Sequence, residues 1–206
     1  MKKYLIFDFD GTIADTMNIS LNIINSLAKK YHFDQIKDPK ILRNKSMKEA
    51  IKYFKISLWK LIFLARKFKK IMHLHIYKIK IHKGMKKTLN ELNQRGYKLG
   101  LLTSNNEKNT KPILEKANII NLFEFKIYNA RIFKKQKNLK KIIKKKSLKK
   151  ENIIYFGDEV RDIISAKDLG IKIAAVTWGA NSKERLKKEQ PDYLFTNTEQ
   201  ILKEFK

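Results

Sequence analysis

Residues Asp8-Phe9-Asp10-Gly11-Thr12 set two carboxylates two positions apart, where the apolar run Tyr4-Leu5-Ile6-Phe7 gives way to a glycine turn. Two other apolar runs end in the same manner. Leu101-Leu102 leads into Thr103-Ser104-Asn105, and Tyr155-Phe156 leads into Gly157-Asp158-Glu159-Val160-Arg161-Asp162. If these runs are parallel strands, their polar ends converge on one edge of a sheet, where open α/β sheets bind ligands. Four Asp, a hydroxyl and candidate lysines would then share one cleft. Carboxylates held this close repel one another, which implies a cation. An oxygen-only donor set without His or Cys favours a hard ion, and Mg²⁺ is expected, shared between carboxylates, water and a substrate phosphate. A turn or a helix cap accounts for any single Asp of the set, but not for three strand ends that all carry polar clusters.

The elements that must position these residues follow from the hydrophobic pattern. Strands are expected at 4–7, 97–102, 125–128, 152–156, 172–176 and 192–195, several of them as continuous apolar runs of the kind found in strands covered on both faces. Helical periodicity fills the gaps at about 85–95, 108–117, 136–147, 161–169, 182–189 and 198–205. This alternation is the signature of an α/β fold with a parallel sheet. Residues 15–83 break it. They show no convincing strand and read as several helices, with Ile51, Phe54, Leu58, Leu61, Ile62 and Ala65 at helical spacing. The expected organisation is an α/β domain of residues 1–14 and 84–206, interrupted by a helical insert at 15–83.

Composition narrows the function classes. The 206 residues are 43% hydrophobic and 11% aromatic, enough for a buried core and against wholesale disorder. There is no Cys, which excludes a disulfide framework and thiol chemistry. The N-terminal apolar run is cut short by Asp8 and Asp10, unlike a secretion signal. The run Leu61 to Ala65 is far shorter than a membrane span, so no membrane partner and a cytoplasmic location are expected. The formal charge is +27, and such a chain attracts anions of any kind, from phosphorylated metabolites to nucleic acid. Only six of the basic residues are Arg, whereas base recognition leans on Arg. The lysines are spread along the whole chain, although 50–90 carries twelve Lys/Arg and no acid.

Taken together, Asp8-Phe9-Asp10-Gly11-Thr12, Leu102-Thr103, a downstream lysine and Gly157-Asp158 with Asp162 resemble the four motifs of the haloacid dehalogenase-like hydrolases, nearest to their phosphoglycolate phosphatase-like branch. The resemblance implies a Rossmann-like, doubly wound parallel sheet with 15–83 as an inserted α-helical cap. It implies Asp8 as nucleophile, Asp10 as general acid and then base, Thr103 as a ligand of the transferring phosphoryl group, and Lys135 as the charge-offsetting lysine, with Lys134 as the alternative. Gly11, Thr12, Ser104 and Asn105 would contact the substrate. Asp8, Asp158 and the main-chain carbonyl of Asp10 would hold Mg²⁺, and Asp162 would orient a metal-bound water or the lysine. The presence of Asp10 favours phosphoryl transfer over carbon–halogen cleavage. A small phosphorylated metabolite is the expected substrate.

Two other readings stay open. The same aspartyl-phosphate could be passed to a sugar, making a phosphomutase. Alternatively, the scaffold could serve a binder of nucleic acid or another acidic surface, whose binding would fall steeply with salt. Outside the motifs, Trp59 is expected in the core of the cap, and Trp178 is expected either beside the cleft or packed within its own loop. Arg43 is expected as a surface charge or a carboxylate clamp. His73 and His75 are expected as ordinary cap residues or, less favoured, a metal pair.

Overall fold

A computed structural model describes residues 3–130 and 135–206. Its centre is a six-stranded parallel sheet. The strands are β1 (Tyr4–Phe7), β4 (Lys98–Leu102), β5 (Phe123–Ile127), β6 (Ile153–Gly157), β7 (Lys172–Val176) and β8 (Tyr193–Phe195). Their order across the sheet is β5-β4-β1-β6-β7-β8, with β1 between β4 and β6. Leu5 aligns with Leu99 on one side and Ile154 on the other. The sheet order steps one way from β1 through β4 and β5, and the other way through β6, β7 and β8. Such a reversal leaves a crevice at the carboxyl ends of the central strands.

Strand alternation explains why both faces are covered. Leu5, Phe7, Leu99, Leu101, Ile154, Phe156, Ala174 and Val176 enter one core cluster. The intervening Ile6, Ile153, Tyr155, Ile173 and Ala175 enter the other. Period two sends alternate residues to opposite faces, so a strand buried on both sides must be apolar throughout. Helices supply the covers. The first four in chain order after residue 84 are α5 (Met85–Gln94), α6 (Glu107–Lys116), α7 (Lys135–Lys145) and α8 (Val160–Lys167). The last two are α9 (Lys183–Lys188) and α10 (Thr198–Glu204). The fold class is therefore the expected doubly wound α/β architecture, and most element ends lie within two residues of the sequence reading.

The segment between Asp15 and Lys80 departs from that reading in two respects. First, it is entered and left through a short antiparallel pair, β2 (Ala14–Asp15) with β3 (Lys80–Ile81). Two-residue strands carry no periodicity, so the pattern missed them. Second, the apolar spacing from Ile51 to Ala65 does not belong to one helix. The segment holds α1 (Met17–Tyr31), α2 (Pro39–Arg43), α3 (Met47–Tyr53) and α4 (Leu58–His73). The break between α3 and α4 has local causes. Lys55 turns at a left-handed φ of 49°, and the Ser57 side chain accepts from the Lys60 N–H to start α4 anew. Trp59 is consequently not in a core. It stands in the first turn of α4, off the face that carries Leu64 and Met72, and is 83% exposed. The opposite face of α4 joins Ile23 and Leu27 of α1 in the cluster on the β1 side of the sheet.

Candidate active site

The site forms where β1, β4 and β6 run out. Asp8 follows β1 directly; its N–H donates to the Phe156 carbonyl, so the sheet ladder extends as far as this residue. One carboxylate oxygen accepts from the Phe9 N–H at 2.8 Å. The other meets the ammonium of Lys135, which also contacts Asp162 Oδ1 at 2.5 Å. All three side chains are buried. Lys135 is the first residue of α7, a placement the helix dipole opposes; two carboxylates hold it there, and its Nζ lies 5.8 Å from the Tyr155 ring centroid. Lys134 lies outside the described residues. Asp162 Oδ2 accepts from the Glu159 N–H at 3.1 Å, so both oxygens of Asp162 are engaged.

Asp158 follows β6 directly, on the other side of the cluster. Its Oδ1 accepts from the Thr12 hydroxyl at 2.9 Å and its Oδ2 from the Ala180 N–H at 2.7 Å. Backbone packs tightly around it. A methyl group at Gly11, which turns at φ +76°, would overlap the Asp158 carboxylate, and so would one at Gly179. Glycine at both positions is thus a condition of the approach. The Trp178 indole N–H donates to the Thr12 carbonyl at 3.1 Å, which places this tryptophan beside the turn.

On the β4 side, Thr103 is fully buried and its hydroxyl oxygen accepts from the Asn105 N–H at 2.9 Å. Ser104 is half-buried between them. Asn105 donates through Nδ2 to Asp10 Oδ1 at 3.3 Å. Asn106 then caps α6, accepting from the Asn109 N–H at 2.8 Å. The polar loop and the helix start are therefore one continuous device.

Burial dominates the electrostatics. It pushes the Asp8 carboxyl up to about 7 against the opposing pull of Lys135. It raises Asp10 to about 6, with Asn105 opposing, and lifts Asp158 well above the usual carboxylate range, with Glu159 and Asp8 adding to the shift. One carboxylate oxygen each of Asp8, Asp158 and Asp162 lie within 4.8 Å of one another. Three buried carboxylates, two of them resisting ionisation, form an oxygen-only set that fits a hard divalent cation.

Several participants carried no motif. Lys69 on α4 is half-buried; burial lowers its pKa, and the Asp10 carboxylate is the group that opposes this shift. Asn109, buried in α6, donates to the Lys69 carbonyl and to Asn105 Oδ1. His73 faces Asn109 rather than His75. Asn181 donates to the carbonyls of Arg43 and Lys45 and accepts from the Val160 N–H. Arg43 itself is neither a free surface charge nor a clamp in the cleft, since its guanidinium donates to the Thr177 carbonyl at 2.9 Å. These residues bridge distant segments, and no local pattern marks them.

The chain is 28% identical over 200 residues to the phosphoglycolate phosphatase of Synechococcus elongatus, covering 96% of this chain and 94% of that one. It is 22% identical over 202 residues to pyrophosphatase PpaX of Bacillus cereus, with 96% and 94% covered. Its fold matches that of a haloacid dehalogenase-like family hydrolase from Streptococcus pneumoniae with a TM-score of 0.81 at 21% identity, over 100% of this chain and 99% of the other. The family model for haloacid dehalogenase-like hydrolases matches residues 5–176. That span runs from β1 to the end of β7 and takes in every acid of the cluster, so the chain belongs to the haloacid dehalogenase-like hydrolase family.

Proposed function

We propose that the protein is a Mg²⁺-dependent phosphatase that acts in the cytoplasm on a small phosphorylated metabolite through an aspartyl-phosphate on Asp8, as a phosphoglycolate phosphatase-like enzyme. The observation that carries this reading is the buried Lys135 ammonium set between Asp8 and Asp162, beside Asp158 and Asp10. In this reading an Asp8 oxygen attacks phosphorus, and the bond from phosphorus to the leaving oxygen breaks. Asp10 gives its proton to that oxygen. A carboxyl raised to about 6 keeps a useful acid fraction near neutral pH. Asp10, now a carboxylate, takes a proton from water as the water attacks phosphorus. The bond to Asp8 breaks and inorganic phosphate leaves. Lys135 and the Thr103 hydroxyl stabilise the charge on the transferring group, and Gly11, Thr12, Ser104 and Asn105 line the phosphoryl pocket. Asp8, Asp158 and the Asp10 carbonyl would hold the Mg²⁺, which when bound offsets negative charge between nucleophile and phosphate. Asp162, with both oxygens engaged, holds Lys135 in place.

In this reading residues 1–14 and 84–206 form the hydrolase core, and 15–83 form a cap that hinges at the β2–β3 pair and excludes water when seated. Lys69, brought to the cleft by α4, meets the distal negative charge of the substrate. Both a phosphorylated carboxylic acid and pyrophosphate carry one, in keeping with the two kinds of relative. The test is phosphate release from a panel that includes phosphoglycolate and pyrophosphate, with Mg²⁺ and with EDTA, beside Asp8→Asn. Release should require Mg²⁺ and fall more than about a thousandfold in the variant. Release that survives Asp8→Asn overturns the nucleophile assignment.

A further inference from the structure

A directed chain of hydrogen bonds runs from α4 to the acid. Asn109 Nδ2 donates both to the Lys69 carbonyl at 3.0 Å and to Asn105 Oδ1 at 3.2 Å. Its Oδ1 must therefore accept, and the group facing it is His73 Nδ1 at 3.0 Å, which consequently carries the proton. Asn105 Oδ1 accepts from Asn109 and from the Asn106 N–H at 2.9 Å, which leaves its Nδ2 to donate to Asp10 Oδ1. Every link points the same way, and Asp10 Oδ1 accepts at its end, which leaves Oδ2 to carry the proton that the acid donates. Asn109 is 1% exposed and Asn105 6% exposed, so neither amide can turn to water for a substitute partner.

We propose that His73 and Asn109 are positioning residues which tie the orientation of the Asp10 carboxyl to the seating of α4 on α6. The proposal rests on the reading of Asp10 as the acid. With α4 seated, the amide of Asn109 is fixed by two groups from α4 and in turn fixes Asn105. With α4 lifted, Asn109 loses the Lys69 carbonyl and His73 together, both amides can rotate, and Asp10 loses its directed donor. The acid is thus aligned only in the closed arrangement, when bulk water is shut out. Asn181 makes a parallel bridge on the far side of the cleft, but it grips backbone groups and reaches no reacting carboxyl through its side chain.

The experiment compares wild type, His73→Ala, His73→Asn and Asp10→Asn. His73 is exposed, so its replacement leaves the core intact; Asn keeps a donor near the position of Nδ1. The kinetic readout is kcat/KM for phosphoglycolate against p-nitrophenyl phosphate, whose leaving group is a stable anion that needs little protonation. Misaligning the acid should cut the phosphoglycolate value about tenfold and the nitrophenyl value less than about twofold. Asp10→Asn should show the same selectivity more strongly, and His73→Asn should restore most of the loss. The second readout is the side-chain amide resonances of Asn105 and Asn109 in ¹⁵N-labelled protein, which should shift in His73→Ala and return in His73→Asn. Amide signals unmoved by His73→Ala overturn the latch whether or not the acid assignment holds. Equal losses on both substrates in His73→Ala, with Asp10→Asn still selective, overturn it as well. Equal losses in Asp10→Asn identify the acid assignment as the step that failed.

Discussion

The sheet and the helical insert draw on the same lysine- and isoleucine-rich composition but use it differently. In the sheet, β1, β6 and β7 bury almost every side chain, and their polar residues wait until the strand ends. In the insert, one helix face reaches the shared core through Ile23, Leu27, Leu64, Met72 and Ile76. The other leaves Tyr53, Trp59, Ile62 and Phe63 in solvent. The acids of the site belong to the first kind of structure. Strand pairing on both sides fixes β1, so Asp8 and Asp158 hold their separation without help from the insert. Polar bridges tie the insert to the surroundings of the site, at Asn109 from α4 and at Asn181, Ser182 and Thr177 from the α2 side. Charged chemistry needs a preorganised frame, whereas the insert, in its proposed role as a cover, must be held by contacts that can be released.

If the sheet edge is the rigid partner, its ion cluster should be the costliest place to damage. Lys135→Met leaves Asp8 and Asp162 facing each other without a cation. Removing one partner of a buried pair costs about 3–5 kcal/mol, a fall in melting temperature on the order of 10 °C for a chain of this size. Phosphate release should be lost together with it. Calorimetry and the release assay check both. A variant that keeps its melting temperature would show that the cluster is far less constrained than the comparison requires.

The next effect is smaller and has a definite sign. Burial raises Asp8 to about 7 and lifts Asp158 well above the usual carboxylate range, so in the metal-free fold the proton is the preferred occupant of both carboxylates at acid pH. For a carboxyl raised in the fold, the stabilising contribution is complete below the unfolded value near 4 and is lost as pH climbs through the folded value near 7. A divalent cation must displace those protons, so it binds better once they have left. Saturating Mg²⁺ should therefore raise the melting temperature more at pH 8 than at pH 5.5. Asp158→Asn should reduce the difference. An equal shift at the two pH values would place the cation elsewhere.

Much of the sheet region was legible because its signals are local. An apolar run that stops at a polar cluster predicts both a strand and a point on the ligand-binding edge, and Asp8, Thr103 and Asp158 fall on such stops, with Asp162 in the first turn of α8 behind the third. Lys135 was legible only through the family's motif order, since nothing around it separates one lysine from its neighbours in a run of ten between Lys134 and Lys150. The insert was read less well for a physical reason. Its apolar residues are shared between short helices broken by a left-handed turn at Lys55, so one periodicity spans two separate elements. Asn109 and Asn181 were missed, and Arg43 was read as a surface charge or a clamp, because the groups they grip across the fold, the carbonyls of Lys69, Arg43 and Thr177, lie 40 or more residues away and have no residue type to recognise.

The smallest effect sharpens the contrast within the insert itself. Trp59 and Leu64 lie five residues apart on α4, at 83% and 6% exposure. Large aromatic residues are strong candidates for core on composition alone, yet packing places the smaller leucine inside. Leu64→Ala opens a cavity in the cluster that α4 shares with the sheet and should cost about 2–5 kcal/mol. Trp59→Ser removes a ring that buries little, and its effect should stay within about 0.5 kcal/mol. Urea unfolding followed by far-ultraviolet circular dichroism measures both. A large loss for Trp59→Ser would mean that the outer face of α4 is covered in solution, and that the insert is held more firmly than a releasable cover should be.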